Sequence, residues 1–152
     1  SLNTETDLIG YNLYRAEIKS GPFAKVNADP IAAGVGSFTD EGLKIGWKYY
    51  YQLRAVDSAM NESAPTDTMA MVTPGMLLEN RTWTAAESPY ILYGDLRIRA
   101  GAVLLVEPGV EVRCAITDSM PDTNGATMTD IIVQGALQAV GTAEKRVIFT
   151  TA

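Results

Sequence analysis

Carboxylate side chains are the residues of this sequence whose types and spacing could support catalysis, and they occur as three close pairs. The pairs are Asp40 with Glu41, Asp57 with Glu62, and Glu107 with Glu111. Two carboxylates can divide general acid and general base work only when burial raises the pKa of one of them. Glu107 and Glu111 flank a Pro-Gly turn in an otherwise apolar stretch, so we expect both to face water. The sequence therefore predicts no catalytic residue and no enzyme activity.

The other common catalytic groups are missing or isolated. The chain contains no histidine, which removes the commonest general base and the commonest metal ligand. Cys114 is the single cysteine, so neither an internal disulfide nor a cysteine-based zinc site is expected. Its position in the alternating stretch VEVRCA is typical of a small apolar core residue. No cofactor is expected.

Aromatic residues are candidates for contacts with sugars, because an aromatic face offers an apolar surface beside polar groups. The candidates are Trp47, Tyr50, Trp83, Tyr90 and Tyr93. A structural role is the alternative, in which Trp47 covers the end of a sandwich and Trp83 covers the open end of a coil. The sequence leaves the binding residues unknown.

The stretch TDSMPDTNGATMTD contains oxygen donors of the kind that calcium prefers, at Asp118, Asp122, Asn124 and Asp130. The stretch lacks the D-x-D-x-D-G spacing and the bidentate Glu of a calcium loop, so we expect a solvated insertion and no metal site. Asn61 and Asn80 each begin an N-x-[ST] tripeptide, the acceptor for glycosylation, although this pattern often arises by chance.

Charge and hydropathy limit the partners. A formal net charge of −6 repels phosphate backbones and anionic membrane surfaces, so we expect no nucleic acid partner. No run of about 18 apolar residues is present, so no membrane insertion is expected. The sequence begins with Ser1 rather than Met, and we interpret it as a piece of a longer protein.

The positions of these residues depend on β-strands, because the apolar segments are rich in β-branched and aromatic residues and are bounded by Gly, Pro, Asn and Asp. In KYYYQLRAV, alternate side chains share a face, which predicts Tyr49 and Tyr51 inside with Leu53, and Tyr50 more exposed. Leu43, six residues before Tyr49, fits a tyrosine corner, in which a Tyr hydroxyl bonds to the backbone a few residues earlier.

Residues 8–74 resemble a fibronectin type III domain of the kind found in bacterial surface and secreted proteins. The matching segments are GYNLYR, FTDEGL, YYYQLRAVD, NESAP and VTP. The resemblance implies an antiparallel sandwich. The sequence departs from the family at Met60, where a turn glycine is usual, and it lacks the first two strands.

Residues 80–152 resemble the N-terminal coils of a right-handed parallel β-helix, a pectate-lyase-like solenoid. The resemblance is carried by a TW…PY segment followed by LLVEPGVEV and by VQGALQAVGTAEKRVIFT. About two coils are expected, whereas a stable solenoid usually needs about three or more repeats.

These observations predict an all-β chain with an incomplete sandwich at 1–74, a linker at 75–79 and parallel β-helix coils at 80–152. The expected role is a non-catalytic structural, adhesion or carbohydrate-presenting module of a large secreted or cell-surface protein. The alternative is the accessory N-terminal part of a β-helix polysaccharide lyase or glycoside hydrolase whose active site lies downstream. A homodimer is expected, and a polysaccharide or another surface protein is a further candidate partner.

Overall fold

The computed structural model describes residues 7–116 and 128–152. These residues form β-strands and one 3₁₀ turn at Ala85–Glu87, without an α-helix, so the predicted all-β class is confirmed. The strands are β1 (Leu8–Ala16), β2 (Ala24–Lys25), β3 (Ile31–Ala32), β4 (Lys48–Asp57), β5 (Met69–Val72), β6 (Gly75–Leu77), β7 (Arg81–Trp83), β8 (Tyr90–Leu92), β9 (Leu96–Ile98), β10 (Val103–Val106), β11 (Glu111–Cys114), β12 (Ile131–Val133), β13 (Ala136–Ala139) and β14 (Ile148–Thr151).

The chain divides into two compact units. The first unit contains Ser1–Gly42 and Tyr49–Ala70, and the second contains Leu43–Lys48 and Met71–Ala152. We had expected 43–48 to belong to the sandwich and 75–79 to be a linker. The structure instead places Leu43–Lys48 in the second unit, and β6 occupies the first part of the expected linker.

The first unit is organised around β1, which pairs antiparallel with β2, β3 and β4. Gly10 lets β3 approach, because a Cβ atom there would lie only 2.3 Å from the carbonyl oxygen of Ile31. The strands of residues 7–42 and 49–70 all belong to one sheet, whereas the expected sandwich has two facing sheets. Leu53 on β4, which the sequence placed inside with Tyr49 and Tyr51, is 38% exposed.

The predicted burial of the three tyrosines is wrong in one respect. Tyr49 is buried at 3% exposure as expected, but Tyr50 is also buried at 5%, and Tyr51 is only half-buried. Because consecutive strand residues point to opposite faces, burial of both Tyr49 and Tyr50 means that both faces of β4 are covered where it begins. The hydroxyl of Tyr51 donates a hydrogen bond to the carboxylate of Asp40 at 2.9 Å.

The second unit consists of three successive turns of chain, each of which contributes one strand to each of three ladders. The ladders are β6–β9–β12, β7–β10–β13 and β8–β11–β14, and every pair within them is parallel. We had expected about two turns. The first turn begins earlier than expected, at β6, which accounts for the difference.

The core of the second unit lies inside these ladders. Alternate strand residues point inward, as in β10, where Leu104 and Val106 are fully buried and Leu105 is exposed. Burial decreases in the third turn, where all four residues of β14 are exposed. Val147 is partly buried and packs against the core, whereas Phe149 is 47% exposed.

Candidate functional site

A cavity of about 640 Å³ lies beside Trp47 in the second unit, and we call it the Trp47 cavity. Its lining combines one aromatic ring with charged, polar and apolar side chains. The lining residues are Lys44, Ile45, Trp47, Met76, Leu77, Leu78, Glu79, Asn80, Arg81 and Thr82. The volume falls within the range of about 300 to 1,000 Å³ that is usual for small-ligand sites.

The backbone around Trp47 is held by hydrogen bonds to the segment between β5 and β6 and to β7. The Gly46 N–H donates to the carbonyl of Thr73 at 2.9 Å, and the Thr73 N–H donates to the carbonyl of Trp47 at 2.9 Å. The indole Nε1 of Trp83 donates to the carbonyl of Gly46 at 3.0 Å. These three bonds fix the position from which the Trp47 side chain projects.

Gly46 is required at the turn that precedes Trp47. Its φ angle is +74°, in the left-handed region, where a side chain is unfavourable. An added Cβ atom would also lie 3.1 Å from Cδ1 of Leu77. Gly46 therefore orients the backbone from which Trp47 projects.

Lys48 anchors the other side of Trp47. Its side chain is buried, and its ammonium group donates to the carbonyl of Pro89 at 2.8 Å and to the carbonyl of Glu87. The same ammonium lies 5.4 Å from the ring centroid of Tyr90. A buried charge needs such partners, so these contacts keep Lys48 in place.

Two cations lie over the indole ring of Trp47. The guanidinium carbon of Arg81 is 4.0 Å from the ring centroid, and the ammonium of Lys44 is 4.4 Å from it. Attraction between a cation and an aromatic ring is effective within about 6 Å. The Nε atom of Arg81 is buried and has no hydrogen-bond acceptor in the part of the chain that the structure describes.

The polar rim of the Trp47 cavity is partly organised by the neighbouring strand. The side-chain oxygen of Asn80 accepts a hydrogen bond from the Val103 N–H at 2.9 Å, which orients the Asn80 amide. Glu79 and Asn80 are both exposed. The arrangement offers an aromatic ring, two cations and polar groups that can bind a ligand.

The first two predicted carboxylate pairs have separate structural partners. Asp40 accepts hydrogen bonds from Arg15 at 2.7 Å and from Tyr51, rather than acting with Glu41. Tyr51 thus contacts a side-chain carboxylate that lies upstream in the sequence. Burial, followed by the hydrogen bond to Asp40, raises the pKa of Tyr51.

Asp57 and Glu62 stabilise a loop and a strand rather than each other. Hydrogen bonds from the side chain and then the backbone of Asn61 lower the pKa of Asp57. Hydrogen bonds from Asn12 and Tyr14 lower the pKa of Glu62. A carboxyl group with a lowered pKa stays ionised and is a poor general acid at neutral pH.

We had expected Glu107 and Glu111 to face water. In the structure both are half-buried. Glu111 forms an ion pair with Arg113 at 2.9 Å.

The second unit also contains Cys114, which is half-buried and packs against the core. Burial raises the pKa of its thiol. This placement matches the small apolar residue that the sequence indicated.

Three of the five aromatic candidates are buried. Tyr50, Trp83 and Tyr90 lie in the cores, and Trp83 stacks on Tyr90 with ring centroids 4.7 Å apart. Trp83 therefore lies inside the second unit rather than at an open end. Tyr93 is 41% exposed, and Trp47, which we had placed at the end of the sandwich, is half-buried in the second unit.

The candidate calcium ligands form no metal-binding cluster in the described residues. Asp118, Asp122 and Asn124 lie outside the described residues, and the Asp130 N–H donates to the Asp95 carboxylate. Within residues 7–116 and 128–152, no three His, Cys, Asp or Glu side chains lie together where they could hold a metal ion. Those ranges also contain no helix that is long and apolar enough to cross a membrane.

Sequence reasoning identified Trp47 but missed the two cations beside it. Lys44 lies close to Trp47 in the sequence, and Arg81 lies in NRTW, which we had considered only for glycosylation at Asn80 and for its tryptophan. Arg81 lies two positions before Trp83 in β7, so alternation places both side chains on the same face of the strand. That Arg81 then lies over Trp47 depends on contacts between distant segments, which no local pattern reveals.

Comparisons with known proteins give partial matches. Protein bark beetle of Drosophila melanogaster is 34% identical over 74 residues, which are 49% of this chain and 2% of that protein. Exoglucanase B of Cellulomonas fimi is 36% identical over 69 residues, which are 45% of this chain and 5% of that protein. The chain thus spans only a small part of the length of either relative. No family profile and no solved structure matches the chain.

Proposed function

We propose that the chain is a non-catalytic module that contacts carbohydrate within a larger secreted or cell-surface protein. The observation that carries this proposal is the Trp47 cavity, which combines an aromatic ring with polar and charged groups. This combination suits a sugar, whose rings have apolar faces and polar edges. The partial identity with a protein named exoglucanase B is consistent with a carbohydrate-related role.

The proposed architecture is a fibronectin type III-like domain followed by the first turns of a parallel β-helix. The antiparallel pairing of β1 with β4 supports the first part, since these strands contain the GYNLYR and YYYQLRAVD segments. The three parallel ladders support the second part, because each turn adds one strand to every ladder. A stacked solenoid is well suited to present a binding surface away from its attachment point.

The second candidate function is an accessory part of a polysaccharide lyase or glycoside hydrolase. The partial match to a protein named exoglucanase B favours it. In this case the chain would position a substrate for an active site elsewhere in the parent protein. Both candidates place the contact with carbohydrate in the Trp47 cavity and differ in what the parent protein does.

The proposal is tested by affinity electrophoresis of the chain in gels that contain single polysaccharides, both neutral and acidic. We expect at least one polysaccharide to retard the wild type, and Trp47→Ala to remove the retardation. Tyr93→Ala is the matched control, because Tyr93 is an exposed aromatic residue outside the cavity lining. The proposal fails if no polysaccharide retards the chain, or if both variants are retarded as strongly as the wild type.

A further inference from the structure

We propose that the Trp47 cavity selects a saccharide that bears carboxylates, and that Arg81 is the residue that recognises a carboxylate. This inference rests on the proposed contact with carbohydrate and specifies its ligand class. It is carried by the environment of Arg81 and by the two cations on the indole ring.

The cations change what the Trp47 ring can bind. Because Arg81 and Lys44 both lie within 4.4 Å of the ring centroid, the aromatic ring does not present a bare face. A neutral sugar would have to displace a cation in order to stack on the indole. An acidic sugar can instead bind the cations where they are and place its ring against the apolar part of the lining.

Arg81 is half-buried and lacks a carboxylate partner in the described residues, whereas Arg99 and Arg146, which also lack one there, are exposed. Four other arginines form ion pairs with carboxylates: Arg15, Arg54, Arg97 and Arg113. Arg81 forms no ion pair within residues 7–116 and 128–152, although Glu79 lines the same cavity. Its buried Nε lacks an acceptor there, as does the Nε of Arg54, but Arg54 has Glu62 as an ion-pair partner and Arg81 has none. An unsatisfied buried donor is rare in folded proteins and calls for a partner such as a bound ion or ligand.

A carboxylate fits this partner better than a neutral hydroxyl. The guanidinium group is planar and presents adjacent N–H groups that match the two oxygens of a carboxylate. Arg81 is held at its backbone by the pairing of β7 with β10, where it lies opposite Leu104. Its guanidinium carbon lies 4.0 Å from the ring centroid of Trp47, so the group is positioned before the ligand arrives, which reduces the cost of ordering it on binding.

The apolar part of the lining indicates a saccharide rather than a small inorganic anion. Met76 and Leu78 are exposed at 45% and 60% and form part of the cavity surface. A free phosphate would leave these side chains and most of the cavity volume without contact. The net charge of −6 disfavours anions at long range, so the selectivity must come from direct contacts in the cavity.

The experiment compares two ligands of the same length, a β-1,4-linked glucose pentamer and the same pentamer with its C6 alcohols oxidised to carboxylates. Isothermal titration of the full chain with each ligand gives the two dissociation constants. We expect the carboxylated pentamer to bind at least about tenfold more tightly, as one charge-assisted hydrogen bond allows. Arg81→Gln should remove this preference, and Arg81→Lys should restore only part of it.

Arg99→Gln is the matched control, because Arg99 is an exposed arginine of the second unit that does not line the cavity. It should keep the preference of the wild type. Thermal unfolding of each variant shows whether the fold is intact, and if Arg81→Gln does not fold, Arg81→Lys decides the test. Equal binding of both pentamers, or a preference that Arg81→Gln and Arg81→Lys both retain in full, overturns the inference and leaves the proposed function standing. If neither these pentamers nor any polysaccharide in the gels binds, the proposed function fails as well.

Discussion

Trp83→Phe tests how the backbone beside Trp47 is held. The Trp83 side chain has no exposed surface, stacks on Tyr90 and donates its indole N–H to the carbonyl of Gly46 at 3.0 Å. Phenylalanine keeps an aromatic ring in the core but has no donor. The variant therefore removes one hydrogen bond and part of the ring volume while retaining most of the apolar contact.

The two losses can be estimated separately. Gly46 is buried, so its carbonyl loses a partner that water cannot readily replace, at a cost of about 1–3 kcal/mol. Complete truncation of a buried aromatic side chain costs about 3–5 kcal/mol, and we assign about 1 kcal/mol to the smaller loss of ring volume here. The expected decrease in the free energy of unfolding is thus about 2–4 kcal/mol.

Urea denaturation followed by far-ultraviolet circular dichroism measures this decrease without relying on tryptophan fluorescence. Trp47→Phe is the matched control, since the same substitution at a half-buried position should cost less than about 1.5 kcal/mol. We also expect Trp83→Phe to weaken saccharide binding, because the carbonyl of Gly46 immediately precedes Trp47. Equal losses of stability at the two tryptophans, or a larger loss at Trp47, would refute this description of the site.

Four further outcomes are expected. Tyr50→Ala should cost about 3–5 kcal/mol and Tyr51→Ala less, measured by urea denaturation, because Tyr50 is the more buried; the opposite order would contradict the structure. Burial raises the pKa of Tyr51 and Tyr90 above 10.0, so the folded state holds these protons more tightly. The resulting stability is fully present below about pH 10 and should be lost at higher pH, and stability that stays constant to about pH 12 would contradict this. Polysaccharide and ester substrates should react at the buffer rate, and a turnover that Glu107→Gln or Glu111→Gln abolishes would show catalysis. Light scattering on a size-exclusion column should give the mass of two chains, since β14 presents exposed apolar residues at an edge that other strands can cover; a single-chain mass would contradict dimerisation.

The strand content and the alternation inside the second unit could be predicted from the sequence. In β10, which has the sequence VLLV, every second one of the apolar residues points into the core, as expected for a strand. Cys114 was predictable for the same reason, because it follows Val112 on the same face. The alternation of apolar residues was sufficient to predict burial wherever one face of a strand packs against the core.

Prediction failed where burial depends on distant segments. Alternation could not show that Tyr49 and Tyr50 would both be buried, because it assumes that a strand has one covered face. The assignment of Leu43–Lys48 to the second unit depends on hydrogen bonds with Thr73 and Trp83, which are far away in the sequence. The same bonds bring Trp47 close to Arg81. The candidate site therefore could not be predicted from the sequence either.

The most direct test of the Trp47 cavity is a nuclear magnetic resonance titration that follows the two indole N–H signals of the chain. Trp47 and Trp83 are its two tryptophans, and each gives one such signal. Addition of the carboxylated pentamer should shift the Trp47 signal strongly, whereas the signal of buried Trp83 should move much less. If the ligand binds but the Trp47 signal stays in place, the saccharide contacts another surface and the Trp47 cavity is not the binding site.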